Sequence, residues 1–349
     1  MRTAPGPSAL DVPPPAGRNV LDALNTALHD AMAADDLVHV LGEDIVDPYG
    51  GAFKVTRGLS TAYPARTHAT PISEAGIVGV ATGMALRGLR PVVEIMFGDF
   101  TTLIVDQVVN GAAKFTTMFG EPVPVPVVIR TPMGGRRGYG PTHSQSLEKL
   151  FLGVPGLRVL AASAVVDPYG LLRAAIADDG PVLFVENKAL YPVGLFDPAA
   201  DPEIEVEAHD HVVDAPSCTL RVADGGAASV TVVAHGHMAE LARDALRVLA
   251  YEHEVFAEVV VVSQLAPCDT AAVAASVGRT GRLVVVEEAT PAAGWGAEVV
   301  ARVAESTPGG LQAVRRVAAD PSPIPASARL EARALPGVAA IVAAGSALG

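Results

Sequence analysis

Cysteine is nearly absent from this chain, whose 349 residues hold only Cys218 and Cys268. Two thiols are too few for a disulfide framework, for iron–sulfur ligation or for a four-thiolate zinc site, so both read as reduced core residues. Long apolar runs are missing too. Half the residues are hydrophobic, yet no stretch approaches the roughly 18 uninterrupted apolar residues of a membrane-spanning helix. Positive charge is scarce: 25 Lys and Arg face 38 Asp and Glu, a formal net charge of -13. Nucleic-acid binding rests on clustered cations that neutralise phosphates, and no basic stripe is present. Residues 1–17 are rich in Pro and Gly, lack the apolar core of a signal peptide, and read as a disordered lead-in. What remains after these exclusions is a soluble, cytoplasmic globular protein.

The chain is longer than one hydrophobic core usually sustains, which predicts two domains. Short Val/Ile-rich runs alternate with Ala-rich segments of helical period, so the fold class is α/β, each domain a mostly parallel sheet flanked by helices. In the first domain, residues 18–190, strands are expected at Val38–Leu41, Pro91–Phe97, Val125–Arg130, Leu157–Ala161 and Val182–Glu186. Helices are expected at Val20–Ala34, Glu74–Arg87, Leu103–Thr116 and Pro168–Asp178. Residues 191–209, rich in Pro, Asp and Ala, read as a linker. A second unit, residues 210–349, follows with strands at Ser229–Ala234, Phe256–Val262, Arg282–Glu287 and Ala313–Ala318. Its helices are expected at Met238–Tyr251, Thr270–Val277 and Ala297–Glu305.

The most informative stretch runs from Pro71 to Gly88. Ser73 is a plausible N-cap and Gly88 a stop signal, which predicts a helix between them. That helix contains Gly76, Gly79 and Gly83, each costing about 1 kcal/mol relative to Ala. Their spacing puts them on one face, where another helix or a ligand can approach the backbone. Glu74 opens this apolar helix without an adjacent cation, a setting in which desolvation can raise a carboxyl pKa. A first-turn Glu favoured by the helix dipole is the commoner explanation for one such residue.

Three further features are candidates. The Gly-rich segment Thr131–Thr142 has the composition of a mobile functional loop and leads into His143, which could titrate in a site or simply make a structural hydrogen bond. Beyond Ala177 the helix ending at Asp178 meets Gly180-Pro181, so its last carbonyls present the negative end of a dipole to solvent or to a monovalent cation. His209-x-His211 and His235-x-His237 have metal-like spacing but no completing carboxylate or Cys, and are assigned to structure.

The chain resembles the beta subunits of the decarboxylating component of 2-oxoacid dehydrogenases, of the pyruvate, branched-chain and acetoin dehydrogenase type, in the transketolase-like group of thiamine diphosphate enzymes. The likeness runs from about Asn19 to the C-terminus and rests on motifs in order: Leu41-Gly42-Glu43-Asp44, Tyr49-Gly50-Gly51-Ala52-Phe53, Thr70-Pro71-Ile72-Ser73-Glu74, Asp106-Gln107-Val108-Val109-Asn110, His143-Ser144-Gln145-Ser146, Pro155-Gly156-Leu157 and Gly296-Ala297-Glu298. It implies a pyrimidine-binding fold followed by a transketolase C-terminal-like domain. By the same resemblance Glu74 would bond a ring nitrogen of the cofactor's aminopyrimidine, Ile72 and Phe100 would pack on that ring, and His143 would face its reactive end. The carbonyls of Val127, Ala175 and Ile176, with Asp178 and Gly180, resemble a structural potassium site.

Enzymes of this group hold the diphosphate through magnesium on a Gly-Asp-Gly motif with a downstream Asn. Here the asparagines are Asn19, Asn25, Asn110 and Asn187, none follows such a triplet, and Gly98-Asp99-Phe100 breaks the pattern. The resemblance therefore implies an alpha subunit that supplies the magnesium and completes an α2β2 assembly. A small 2-oxoacid would be the substrate, and a lipoyl acyltransferase or an acyl carrier protein the acceptor. Departures at Val262–Pro267, Glu287 and Phe115–Met118 concern the acceptor and substrate rather than cofactor activation. Two other readings stand beside it: a split transketolase-like subunit that moves a two-carbon ketol unit, and a non-catalytic scaffold on the same fold.

Overall fold

The computed structural model describes residues 19–209, 212 and 214–349; the lead-in and His211 lie outside the described residues. Two sheets organise the chain. Their strands are β1 (Val38–Gly42), β2 (Thr67–Ala69), β3 (Arg90–Glu94), β4 (Val128–Met133), β5 (Arg158–Ala161), β6 (Val182–Asn187), β7 (Ile204–His209), β8 (Ser217–Val222), β9 (Val230–Ala234), β10 (Ala257–Val261), β11 (Gln264–Ala266), β12 (Arg282–Val286) and β13 (Ala313–Val317). The α-helices are α1 (Val20–Ala34), α2 (Leu59–Ala62), α3 (Glu74–Leu86), α4 (Ala113–Met118), α5 (Pro168–Ala177), α6 (His237–His253), α7 (Ala271–Thr280), α8 (Trp295–Ser306), α9 (Ala328–Ala334) and α10 (Val338–Ser346).

The first sheet has the order β11-β5-β6-β4-β3-β1-β2 and the second β13-β12-β9-β10-β8-β7. Apart from β11 against β5, and β8 against β7 and β10, every pairing is parallel. Helix α1 shows how the sequence builds these layers. Val20, Ala23, Leu24, Ala27, Leu28 and Ala31 recur at helical spacing and are buried, while the Asn19 side chain accepts from the Asp22 N–H at 2.8 Å.

Three departures from the sequence reading have local causes. The end of the expected linker is β7, whose alternating Ile204, Val206 and Ala208 form a half-exposed edge antiparallel to β8. Strand β11, too short to carry a period, crosses from the second half of the chain to the first sheet, where Gln264 pairs with Leu160. The single helix expected over Leu103–Thr116 is broken. A 3₁₀ turn covers Gly98–Ile104 and a widened π turn covers Gln107–Ala112 before α4, with Gly111, a poor helix former, inside the widened turn.

Candidate active site

In the first sheet the chain goes from β1 to β2 on one side, then to β3 on the other. Such a reversal opens a crevice beyond the carboxyl ends of the strands, where open α/β sheets bind ligands. The residues leaving those ends are Glu43 after β1, Ile72 and Glu74 after β2, Phe97 to Phe100 after β3, and the loop to His143 after β4. Glu74 is 6 % exposed, whereas Ile72, two residues earlier, is 83 % exposed. Ordinary core packing of Ile72 is thereby excluded. Glu43 is also buried, and its Oε1 has no hydrogen-bond partner. Burial, reinforced by the charge of Glu74, holds the Glu43 carboxyl above its usual range against the pull of the Ser73 N–H.

An aromatic wall stands at the same edge. The His143 ring meets Phe97 edge-on at 4.8 Å between centroids and Phe100 at 5.3 Å. Phe97 in turn contacts Phe53 and Tyr139. Thr142 Oγ1 and His143 Nδ1 share one hydrogen bond at 2.9 Å, which leaves Nε2 as the ring's other polar atom. Asp99 Oδ1 accepts from Gln145 Nε2 at 2.7 Å, while its Oδ2 is buried without a hydrogen-bond partner. Behind Phe97 lies Lys188, fully buried, with Nζ 5.4 Å from the ring centroid and one long hydrogen bond to the Pro132 carbonyl. Burial pulls its pKa down to about 8, although Asp99 and Glu288 act in the other direction. Neither Phe97 nor Lys188 was singled out in the sequence. A lysine directly after the fully buried strand β6 is the one signal that could have drawn attention.

Beneath the wall, Arg130 on β4 donates through Nε and Nη2 to Glu186, at 2.7 and 2.9 Å, and through Nη1 to Glu94 at 2.9 Å. Glu186 also accepts from the Tyr191 hydroxyl. This network supports the Tyr49–Phe53 turn: Gly51 has a φ of 81°, and a Cβ there would lie 2.9 Å from Glu94 Oε1 and from Thr56 Oγ1.

The segment after β4 is tied to residues from the second half of the chain. The Gly135 N–H donates to Glu288 at 2.7 Å, and the N–H groups of Arg136 and Gly138 donate to Glu331 at 2.9 and 3.1 Å.

At the end of α5 the expected cation ligands already have partners. The carbonyls of Ile176 and Asp178 accept from Arg90 Nη1 at 3.2 and 3.0 Å. The Val127 carbonyl accepts from Val182, the Ala175 carbonyl takes the Asp178 N–H, and the Asp178 carboxylate takes Arg158 and the Gly180 N–H. A carbonyl that accepts one hydrogen bond keeps a second lone pair, and beside these carbonyls the Arg90 guanidinium supplies positive charge at the helix end. His235 and His237 are not ligands together either. His235 is buried against Trp295, His237 lies 3.8 Å from Glu288, and no group of three or more His, Cys, Asp or Glu able to hold a metal occurs among the described residues.

A two-domain α/β chain with its polar site at the switch point of the first sheet is the class these features define. The pyrimidine binding domain of transketolase matches residues 17–193 and the transketolase C-terminal domain residues 222–341. Pyruvate dehydrogenase E1 component subunit beta-1 of Arabidopsis thaliana is 41% identical over 93% of this chain and 87% of its own length. Subunit beta of the Leifsonia xyli pyruvate dehydrogenase E1 component is also 41% identical, over 91% of this chain and 90% of its own. The beta subunit of the acetoin:2,6-dichlorophenolindophenol oxidoreductase of Cupriavidus necator is 40% identical over 92% and 94% of the two chains. A solved split-gene transketolase, an inactive beta4 tetramer, shares the fold with a TM-score of 0.69 at 21% identity, covering 95% of this chain and 98% of that one. The chain belongs to the beta subunits of the decarboxylating component of 2-oxoacid dehydrogenases, within the transketolase-like family.

Proposed function

We propose that this chain activates thiamine diphosphate for decarboxylation of a small 2-oxoacid, in an α2β2 assembly whose alpha subunit holds the magnesium diphosphate. The observation that carries the reading is the pairing of a buried carboxyl, Glu74, with a bare apolar side chain, Ile72, on one short turn at the sheet's carboxyl edge. That edge suits an aromatic heterocycle presented from another chain. Ile72 and Phe100 would cover its faces, Glu74 would hold a proton against a ring nitrogen, and the orphaned Glu43 Oε1 marks unfilled polar demand nearby. When bound, the cofactor supplies the electron sink for loss of carbon dioxide. His143, its ring fixed by Phe97, Phe100 and Thr142, would steady the substrate carboxylate or the charge that develops on it.

Magnesium is assigned to the alpha subunit because this sequence has no Gly-Asp-Gly motif with a downstream Asn. The acyl acceptor is a lipoyl acyltransferase or an acyl carrier protein. A cytoplasmic site of action agrees with two unpaired thiols. Ketol transfer to phosphosugars is served less well, because Arg136, one of the few cations near His143, is committed to Glu288 and the Pro336 carbonyl.

The test is reconstitution with the alpha subunit and assay with pyruvate and branched 2-oxoacids against a dye acceptor, and with ketose phosphates. Turnover of ketose phosphates alone would refute the dehydrogenase reading. Glu74→Ala should lower activity on the order of a hundredfold or more; activity within a few-fold of wild type would instead favour a scaffold role.

A further inference from the structure

The loop that carries His143 makes few backbone bonds of its own, the Gly134 N–H to the Gln145 carbonyl at 3.2 Å and the His143 N–H to the Gly140 carbonyl at 3.3 Å. Gly134, Arg136, Gly138 and Gly140 all have positive φ, between 68° and 86°, and a non-glycine residue in that region persists only where its surroundings fix it. The surroundings here come from the other domain. Glu331 on α9 spans the loop with both carboxylate oxygens, one taking the Arg136 N–H and the other the Gly138 N–H, while Glu288, just beyond β12, takes the Gly135 N–H. Both carboxyls are buried, Glu331 being 3 % exposed. The loop lies close against this clamp: a Cβ on Gly135 would sit 2.5 Å from Leu335 Cδ1, and one on Gly138 would sit 3.1 Å from the Ala326 carbonyl oxygen. Five residues after Gly138, His143 docks on Phe97 and Phe100.

We propose that Glu331, assisted by Glu288, is a positioning residue through which the C-terminal domain sets the placement of His143. The inference rests on the reading of His143 given above. Glu331 acts through the backbone and touches neither substrate nor cofactor. Its chemistry requires a carboxylate, because two acceptor oxygens face two N–H donors. Glutamine keeps the shape but turns one acceptor into a donor opposite an amide N–H.

The experiment uses the full αβ complex with magnesium, thiamine diphosphate and its preferred 2-oxoacid, as wild type, Glu331→Gln, His143→Ala and the double variant. Arg333→Ala, an exposed change on the same helix, is the control. Glu331→Gln should lower kcat at least tenfold with KM changed less than threefold, and should lower it less than twofold in the His143→Ala background. Equal losses in both backgrounds, or no loss where His143→Ala is itself impaired, would overturn the positioning role. Normal turnover by His143→Ala would instead overturn the reading of His143. Amide hydrogen exchange of the wild-type complex needs no variant to fold. The N–H groups of Arg136 and Gly138 should exchange slowly, and exchange at the rate of an unprotected loop would refute the clamp.

Discussion

Arg130 and Glu186 form a two-pronged ion pair inside the first sheet, on adjoining strands and two residues apart in register, with Glu94 taking the remaining Arg130 nitrogen. Both partners are 1 % exposed. Removing the cation strands two carboxylates in the interior, which costs far more than an exposed pair is worth. Arg130→Met should therefore lose on the order of 3–5 kcal/mol in urea unfolding. Arg130→Lys should rescue little, since an ammonium cannot bridge Glu186 and Glu94 with the same fork. Near-wild-type stability of Arg130→Met would mean that the site adjusts around the loss.

A second buried acid is tied to pH. Glu148 faces a cavity of about 20 Å³ between the two sheets, which His235 also lines, and neither of its carboxyl oxygens has a partner. Burial raises its pKa from 4.5 to about 7. An acid with a raised folded pKa contributes stability that is full below its unfolded pKa and is lost as pH rises through the folded value. Wild type should thus weaken relative to Glu148→Gln between pH 4.5 and 8, by roughly 3 kcal/mol at most. His235, held neutral by burial with a pKa near 4, is common to both proteins and cancels. Denaturant melts at four pH values measure the difference, and a gap independent of pH would contradict the assignment.

How much of this was legible beforehand depended on sequence distance. Helix α1 was readable to both ends because its cap and its apolar period are local. Strand β7 was not, since its alternation sits in a Pro- and Asp-rich stretch, and β11 gains its place only by pairing with residues about a hundred positions earlier. The site followed the same rule. Glu74 opens a glycine-bearing helix, but by position alone it reads as a dipole-favoured first-turn Glu, and only the ordered motifs of the family resemblance mark it as a candidate. The part of Glu331 in holding Arg136 crosses 195 positions and left no mark in either segment.

Arg90 supplies a prediction about cations. Its guanidinium serves the carbonyls of Ile176 and Asp178 at the negative end of α5 and pairs with Asp179 at 2.6 Å. Arg90→Ala should lower stability by about 1–3 kcal/mol, the cost of leaving such acceptors unserved. The variant should also recover part of that loss in potassium chloride but not in choline chloride. Wild type should show no such preference; potassium-specific stabilisation of wild type as large as that of the variant would mean that Arg90 does not fill the cation's role.

The glycine face of α3 separates folding from assembly. A Cβ at Gly79 or Gly83 would meet nothing within 4 Å, and both residues line a groove of about 350 Å³ with Thr82, Leu86, Asn110 and Phe115. Val80 beside them is 60 % exposed. Nothing within the chain requires glycine at Gly83, so Gly83→Ala should stabilise the isolated subunit by up to about 1 kcal/mol through helix propensity alone. A bulky side chain at Gly83 has the groove itself to occupy, the space that a partner helix would enter. Gly83→Phe should keep the melting temperature of the isolated subunit within a few degrees while weakening association with the alpha subunit, or with a second copy, more than tenfold in sedimentation experiments. Wild-type assembly by Gly83→Phe would show that this face stays uncovered, and the glycines would then need another explanation.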